Sequence, residues 1–228
     1  MQLQDILLFV PVLLFSVIAH EVAHGYAALK QGDDTALSLG RLTWNPIKHI
    51  DPFMTLILPV MLALAHLPII GGAKPVPVDP RNYRRPIFGD IVVSLAGVFT
   101  NLLVAIGCAL LFAVFGLIGE RVQPLEPSLG ILQAMMFYGV ELNMILIAFN
   151  LIPIPPLDGS HVVKYLMPRS WALLYVKWGR WGLVLIIAAM YFKPDLFTVW
   201  LNPAIWVGNK MIYTVRDVTL FSARQWIQ

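Results

Sequence analysis

Residues 3–29 read LQDILLFVPVLLFSVIAHEVAHGYAAL, and this stretch decides the class of fold. It is almost entirely apolar from Ile6 to Ala19. A cleaved signal peptide would open with a basic region and close at a small-x-small site, and neither feature is found here. We therefore predict that residues 3–29 form a first membrane helix that is kept in the mature protein.

The composition of the whole chain agrees with a membrane protein. Of its 228 residues, 58% are hydrophobic and only 13% are charged, whereas soluble domains carry about 25% charged residues. This balance excludes a disordered chain, a nucleic-acid binder and an ordinary cytosolic enzyme. The length predicts a single domain over 1–228, with a core in 1–160 and accessory helices in 161–228. The single cysteine, Cys108, excludes an internal disulfide.

Further apolar segments predict an all-α polytopic membrane protein with about five to six membrane segments, because a spanning helix needs about 20 residues. These segments cover 53–70, 91–119, 129–152, 171–192 and, more weakly, 196–215. The polar connection 30–52 has leucines at nearly alternating positions, which leaves room for short β-strands near the cytoplasmic face. The prolines of 73–80 exclude a helix and favour extended backbone.

The basic residues predict the orientation in the membrane. They concentrate in 30–52, 73–90, 153–180 and the C-terminal tail. The positive-inside rule places all four stretches on the cytoplasmic side, and this requires 53–70 to enter the membrane and return without crossing. Pro59 and Pro68 suit such a re-entrant element. In this topology 171–192 crosses outward and the last segment returns, so that the tail is cytoplasmic.

The chemistry is concentrated in His20-Glu21-Val22-Ala23-His24, an H-E-x-x-H motif on the first predicted helix. A spacing of four residues places both imidazoles on one helix face, about 6 Å apart along the axis, which suits one zinc ion. Glu21 lies beside the first histidine, where it can take a proton from the attacking water. Three ionisable side chains in one turn of a membrane helix are costly, so they indicate a function.

A catalytic zinc ion needs a third protein ligand and an open position. The best candidate is Asp158, which follows three prolines in the stretch NLIPIPPLDG at 150–159. Those prolines unwind the preceding helix, and unwound backbone is tolerated in a membrane beside a water-filled site. The predicted topology brings Asp158 and His20 to the same inner face. His66 is the alternative third ligand, and His161 is interpreted as a surface or supporting group.

The sequence resembles the site-2 proteases, which are intramembrane zinc metalloproteases, and in particular their short prokaryotic branch without a PDZ or CBS domain. The residues that carry the resemblance are HEVAH at 20–24, AKPVPV at 73–78, GVFTN at 97–101 and NLIPIPPLDG at 150–159. The resemblance implies that one zinc ion is bound by His20, His24 and Asp158. It also implies that Glu21 is the catalytic acid and base, and that Asn101 and Asn150 lie near the substrate or the oxyanion.

The function that the resemblance implies is that of a zinc metalloendopeptidase, which hydrolyses peptide bonds of transmembrane proteins within or near the bilayer. The expected partners are a transmembrane substrate and the lipid bilayer, without nucleic acid, and a homo-oligomer is left open. The expected location is the cell membrane, with several crossings and an active site toward the cytoplasm. A substrate could pair with 30–52 or 73–80 by β-addition.

Two other functions stay open at this point. The first is a zinc transporter, which usually has repeated halves with ligands near the membrane midplane, and the sequence shows no repeat. The second is a membrane chaperone on the same scaffold that binds a substrate without cutting it. Glu141 is a further intramembrane carboxylate, which we expect to face the interior of the bundle or its mouth.

Overall fold

The computed structural model describes residues 3–67 and 71–227, and its regular structure there is helical. The α-helices are α1 (Leu3–Gln31), α2 (Thr35–Ser38), α3 (Leu58–Leu64), α4 (Pro86–Arg121), α5 (Glu126–Asn150), α6 (Asp158–Val163), α7 (Arg169–Trp178), α8 (Gly182–Phe192) and α9 (Pro194–Val215). A π-helical turn, Pro52–Ile57, leads into α3.

Among the described residues, four helical segments are long and apolar enough to cross a membrane. They are Asp5–Gln31, Pro86–Arg121, Gln123–Asn150 and Arg169–Phe192. They match the first predicted helix and the predicted segments 91–119, 129–152 and 171–192. The prediction of an all-α polytopic membrane protein is therefore confirmed. The weaker predicted segment 196–215 is also helical, as α9, but is not among the four.

The β-strands expected near 30–52 are not formed, because none of the described residues is in a strand. This connection folds instead into α2 and a 3₁₀ turn at Pro46–His49, where the side chain of Asn45 accepts a hydrogen bond from the N–H of Ile47. The proline-rich stretch 73–80 is extended, as its prolines predict. Its backbone forms hydrogen bonds with side chains and with the backbone of His49, and not with a neighbouring strand. The capped turn is thus formed in place of the strands that the alternating leucines suggested.

The contacts divide the chain into two compact units. The first consists of Met1–Ser16, Asn101–Ile147 and Asn202–Gln228, and the second of Val17–Thr100 and Ala148–Leu201. Each unit draws on segments that are distant in the sequence. The single domain over 1–228 and its division at residue 160 stay predictions.

The first unit is a packed set of helix segments. Parts of α4, α5 and α9 surround Phe112 and Val140, which are both fully buried. The start of α1 joins them through Ser16, whose hydroxyl accepts a hydrogen bond of 2.8 Å from the side chain of Asn143. Gly208 of α9 faces α5 without a side chain, and small residues of this kind let membrane helices approach closely.

Helix α9 runs antiparallel to α5, which corrects the predicted topology. The paired positions run in opposite directions: Trp200 with Ala148, Gly208 with Met144, Leu220 with Gln133 and Ser222 with Glu126. The end of α5 and the start of α9 therefore lie side by side. A single outward crossing by 171–192 would instead separate them by the thickness of the membrane. The tail lies beside the connection between α4 and α5. The positive-inside rule counts charges and takes no account of this packing.

In the second unit, the described residues that flank the predicted re-entrant segment lie together, as the re-entrant prediction requires. The hydroxyl of Thr55 donates to the carbonyl of Gly72 at 2.7 Å, and the N–H of Gly72 donates to the carbonyl of Met54 at 3.1 Å. A segment whose two ends are bonded to each other does not cross a bilayer between them. Its helical part, Pro52–Leu64, is shorter than the about 20 residues that a crossing needs. Pro68 lies outside the described residues.

This geometry predicts the outcome of cysteine labelling in a Cys108→Ala background. Cysteines at Arg41 and Arg84 should react from the same side of the membrane, because both ends of the re-entrant segment lie there. A cysteine at Arg224 should react from the opposite side, because α4 leads away from Arg84 to the connection that holds the tail. An impermeant maleimide on sealed, oriented vesicles measures this. Labelling of Arg41 and Arg84 from different faces would contradict re-entrance, and labelling of all three from one face would contradict the placement of the tail.

Candidate metal centre

Two histidines lie one turn apart on α1 and face the same space. Their Nε2 atoms are 3.0 Å apart. The rings are nearly perpendicular, with an interplanar angle of 85° and centroids 4.6 Å apart. His20 is buried, with 7% of its surface exposed. The i, i+4 spacing of the motif thus gives the shared face that the sequence predicts.

Asp158 reaches the same space from the far end of α5. The helix ends at Asn150, and the prolines that follow prevent its continuation. The chain then folds back so closely that a Cβ on Gly159 would collide with the carbonyl of Leu151. Helix α6 begins at Asp158, whose Oδ2 lies 3.2 Å from Nε2 of His20 and 3.4 Å from Nε2 of His24. Within the described parts of the chain, these three residues form the cluster that could hold a metal ion.

The donor atoms fit a zinc ion. Nδ1 of His24 donates to the carbonyl of Val93 at 2.7 Å, so Nε2 of the neutral ring presents a lone pair to the cluster. Nε2 of His20 and Oδ2 of Asp158 face this lone pair, and such a convergence is stable only with a positive charge among the atoms. Tetrahedral zinc with bonds near 2.0–2.1 Å separates its ligands by about 3.3 Å, close to the spacings found. Oδ2 of Asp158, although buried, makes no hydrogen bond of good geometry within the described chain.

Glu21 lies on the wall of a cavity of about 360 Å³ that also contains the three candidate ligands. Its Oε2 accepts a hydrogen bond of 2.8 Å from the N–H of Val76. Asn150 lines the same cavity. The structure therefore brings together five of the six residues that the sequence predicts for the site.

The proline-rich segment 73–80 forms one wall of the cavity. Its N–H groups already donate within the chain: Lys74 to the carbonyl of His49, Val76 to Glu21 and Asp79 to the carboxylate of Asp33. The guanidinium of Arg41 donates to the carbonyls of Lys74 and Pro75. Pairing of a substrate with this segment by β-addition would therefore have to use its other backbone groups.

Helix α4 contributes two supports that the sequence did not identify. The carbonyl of Val93 orients His24, and no sequence signal marks it because every residue has a carbonyl. Gly97 lies against His20, where a Cβ would be 2.5 Å from Cε1 of the imidazole. The resemblance singled out the GVFTN element at 97–101, and the structure gives Gly97 a role in it, because a side chain there would take the space that the ring of His20 needs.

The remaining candidates are not part of the ligand cluster. Asn101 belongs to the first unit and is fully buried on α4, where its amide has no hydrogen-bond partner among the described residues. Its role stays a prediction. His66 is exposed at the end of α3 with a φ of 53° and is not part of the ligand cluster. Nδ1 of His161 donates to Asp90 at 3.1 Å, so that His161 acts as a supporting group.

Two carboxylates outside the membrane-length helices are held ionised. Burial alone would raise the pKa of Asp158, but the two adjacent imidazoles outweigh it and hold this pKa well below its usual range. Burial opposes ionisation of Asp33 as well, but hydrogen bonds from Asn82, Thr35 and the N–H of Asp79 hold its pKa below the usual value. Asp158 is therefore in the form that binds a cation, and Asp33 anchors the cavity wall.

Gly97→Ala should weaken zinc binding by about tenfold or more, the range typical for loss of support around a metal ligand. The added methyl group must displace the ring of His20. Gly107→Ala on the same helix is the control, because a Cβ there meets nothing within 4 Å. Competition with a chelator measures both affinities. Equal zinc affinity of the two variants would contradict the role given to Gly97.

The candidate metal centre consists of two histidines one turn apart, a distant aspartate and an adjacent glutamate. Helices of membrane length carry these residues. Together the features define the class of membrane-embedded zinc metalloproteases. A model of peptidase family M50 matches residues 126–174. The chain is 34% identical over 214 residues to "Putative zinc metalloprotease YwhC" of Bacillus subtilis strain 168, which covers 92% of this chain and 89% of that protein. The chain thus belongs to peptidase family M50, the site-2 protease family, as its motifs indicate.

A second relative matches most of this chain. It is "Putative zinc metalloprotease Rip2" of Mycolicibacterium smegmatis, which is 30% identical over 186 residues. The match covers 80% of this chain and 66% of that protein. No solved structure matches the chain.

Proposed function

We propose that this chain is an intramembrane zinc metalloprotease that hydrolyses peptide bonds of transmembrane proteins within or near the bilayer of the cell membrane. One observation carries the proposal: the ligand atoms of His20, His24 and Asp158 converge in the cavity that also holds Glu21. A pathway for zinc needs ligands, but it has no use for an acid/base group in the same cavity.

The residues divide the chemistry among them. His20, His24 and Asp158 would hold one zinc ion, which when bound polarises the scissile carbonyl and makes a water molecule more acidic. Glu21 takes a proton from the attacking water and later delivers it to the leaving amine. The hydrogen bond from Val76 orients the Glu21 carboxylate toward the cavity. Glu21 thus carries out both proton transfers.

The developing oxyanion needs donors. Asn150 lines the cavity, and its side-chain N–H group would donate to the scissile carbonyl oxygen as negative charge develops there. Asn101 is the second candidate, on the basis of the family resemblance alone. Removal of one such donor typically costs about 10²–10³ in turnover.

The substrate must present an extended peptide, because the carbonyls of a helix are already bonded to its own N–H groups. A cavity of about 360 Å³ holds only a short stretch of peptide. Much of its wall is apolar, formed by Pro75, Val76, Val78 and Pro156. We propose that a transmembrane substrate unwinds locally at this wall, and that water enters from the cytoplasmic side.

The test uses the purified full chain in nanodiscs with a single-pass model substrate. Stoichiometric zinc and cleavage that a chelator abolishes and zinc restores would support the proposal. Zinc flux in proteoliposomes without cleavage would identify a transporter instead. Binding of the substrate without cleavage by the zinc-loaded protein would identify a chaperone. Either result would overturn the proposal.

A further inference from the structure

The third candidate ligand is carried by an element that cannot hold its own position. Helix α6 has six residues, and its N-cap residue, Leu157, makes no side-chain capping bond. A helix of this length is not stable alone, because nucleation costs more than so few hydrogen bonds return. The loop before it is held by turn hydrogen bonds and by the apolar contacts of Ile154 and Leu157, none of which involves α4. Something else must therefore fix Asp158 beside the histidines.

A buried carboxylate on α4 binds the chain that follows Asp158. Asp90 is 2% exposed. It accepts three bonds, all from residues 161–165: Nδ1 of His161 at 3.1 Å, Nζ of Lys164 at 2.5 Å and the hydroxyl of Tyr165 at 2.8 Å. His161 follows Asp158 by three residues on α6 and therefore shares its helix face. Lys164 and Tyr165 belong to the 3₁₀ turn Lys164–Leu166, which follows α6 directly. Asp90 thus ties the side of α6 that carries Asp158 to α4.

Asp90 completes a pattern on α4. Asp90, Val93 and Gly97 are spaced by three and four residues and therefore share one face of the helix. Gly97 makes room for the ring of His20, and the carbonyl of Val93 orients His24. Asp90 stands in the same row and holds the element that bears the remaining ligand. One helix face therefore serves all three candidate ligands.

We propose that Asp90 is a positioning residue that sets the zinc affinity of the site by anchoring α6, and with it Asp158, to α4. The inference rests on the proposed function, because it concerns the same zinc ion. Asp90 lines the same cavity but is not part of the ligand cluster, and its bonds run to the chain that follows Asp158, so its effect on zinc is expected to pass through Asp158. Loss of its charge would leave the half-buried ammonium group of Lys164 without its carboxylate partner, which weakens the attachment of this segment to α4.

The test is a double-mutant cycle on zinc affinity, measured by chelator competition with the purified full chain. Asp90→Asn should weaken zinc binding by about 10–100-fold, as loss of an outer support does. In the Asp158→Ala background the same change should alter affinity by less than about twofold, since residues that act through one another are not additive. X-ray absorption should show two imidazoles kept and the carboxylate oxygen lost in Asp90→Asn.

Two further variants separate positioning from general stability. Gln133→Met removes a fully buried side chain with hydrogen bonds to Phe112, Val218 and Leu220 in the first unit. It should lower the melting temperature and leave zinc affinity unchanged. Lys164→Met removes one of the three bonds to Asp90 and is the alternative variant if Asp90→Asn does not fold. It should also weaken zinc binding.

Unchanged affinity in Asp90→Asn, or an equal loss in both backgrounds, would overturn the inference while the proposed function stands. A wild-type chain that binds no zinc would overturn both.

Discussion

Glu21→Gln should keep its zinc and lose cleavage by at least about a hundredfold, the low end of what general acid–base catalysis contributes. The zinc stays because the two histidines and Asp158 are untouched. The amide oxygen of glutamine can still accept the hydrogen bond from Val76, so the cavity wall should not move. Single-turnover cleavage of a model transmembrane substrate, with zinc content measured on the same preparation, tests both halves of the statement.

Two results would contradict this role. Retained turnover in the purified, zinc-loaded variant would show that another group moves the proton. Loss of zinc together with activity would show that Glu21 helps to hold the metal. Glu141→Gln is the matched control, since it makes the same change at a partly buried glutamate of α5. It should cleave at the rate of the wild type.

Helix α1 and the shared face of its two histidines could be predicted from the sequence, because the information for both is local. The H-E-x-x-H spacing fixes which side chains share a face, whatever surrounds the helix. The re-entrant segment was predictable for a similar reason: the basic residues at Arg41 and Arg84 require its two ends on one side. Hydrogen bonds between those ends agree with that requirement.

The direction of α9 could not be predicted, because it depends on packing between distant parts of the chain. Gln133 is fully buried, donates to the carbonyl of Val218 and accepts from the N–H of Leu220. Nothing near the tail in sequence signals this partner. The positive-inside rule uses only charges such as those of Arg216 and Arg224. These exposed charges influence the direction of the helix less than the buried amide of Gln133, which would lose its hydrogen bonds if the tail lay elsewhere.

The supports of the metal centre were missed for two different reasons. A backbone carbonyl such as that of Val93 has no residue signature at all. Asp90 did have one, because a carboxylate at the start of a long apolar helix needs a partner. Its partners lie more than seventy positions away, at His161 and Lys164. Our sequence analysis placed Asp90 in the polar connection before the apolar segment 91–119. In the structure α4 begins at Pro86, so Asp90 lies inside the helix.

Asp158→Ala should weaken zinc binding by more than the about 10–100-fold that loss of an outer support costs, and it should abolish cleavage. The reason is that Oδ2 of Asp158 is the proposed third ligand atom, 3.2 Å and 3.4 Å from the two Nε2 atoms. Two imidazoles alone leave a catalytic zinc ion without the three protein ligands that it needs. Chelator competition gives the affinity, and X-ray absorption gives the ligands.

The sharpest comparison is with His66, the other third ligand that the sequence left open. His66 is exposed after α3, outside the cluster of candidate ligands, so His66→Ala should leave zinc affinity and cleavage at wild-type levels. Glu141→Gln should likewise keep full zinc occupancy. The opposite pattern, in which His66→Ala strips the metal and Asp158→Ala retains it with unchanged coordination, would mean that zinc is held by His20, His24 and His66. In that case the convergence of Asp158 on the histidines would be an ion pair of the metal-free protein, and the anchoring of α6 by Asp90 would have no bearing on zinc.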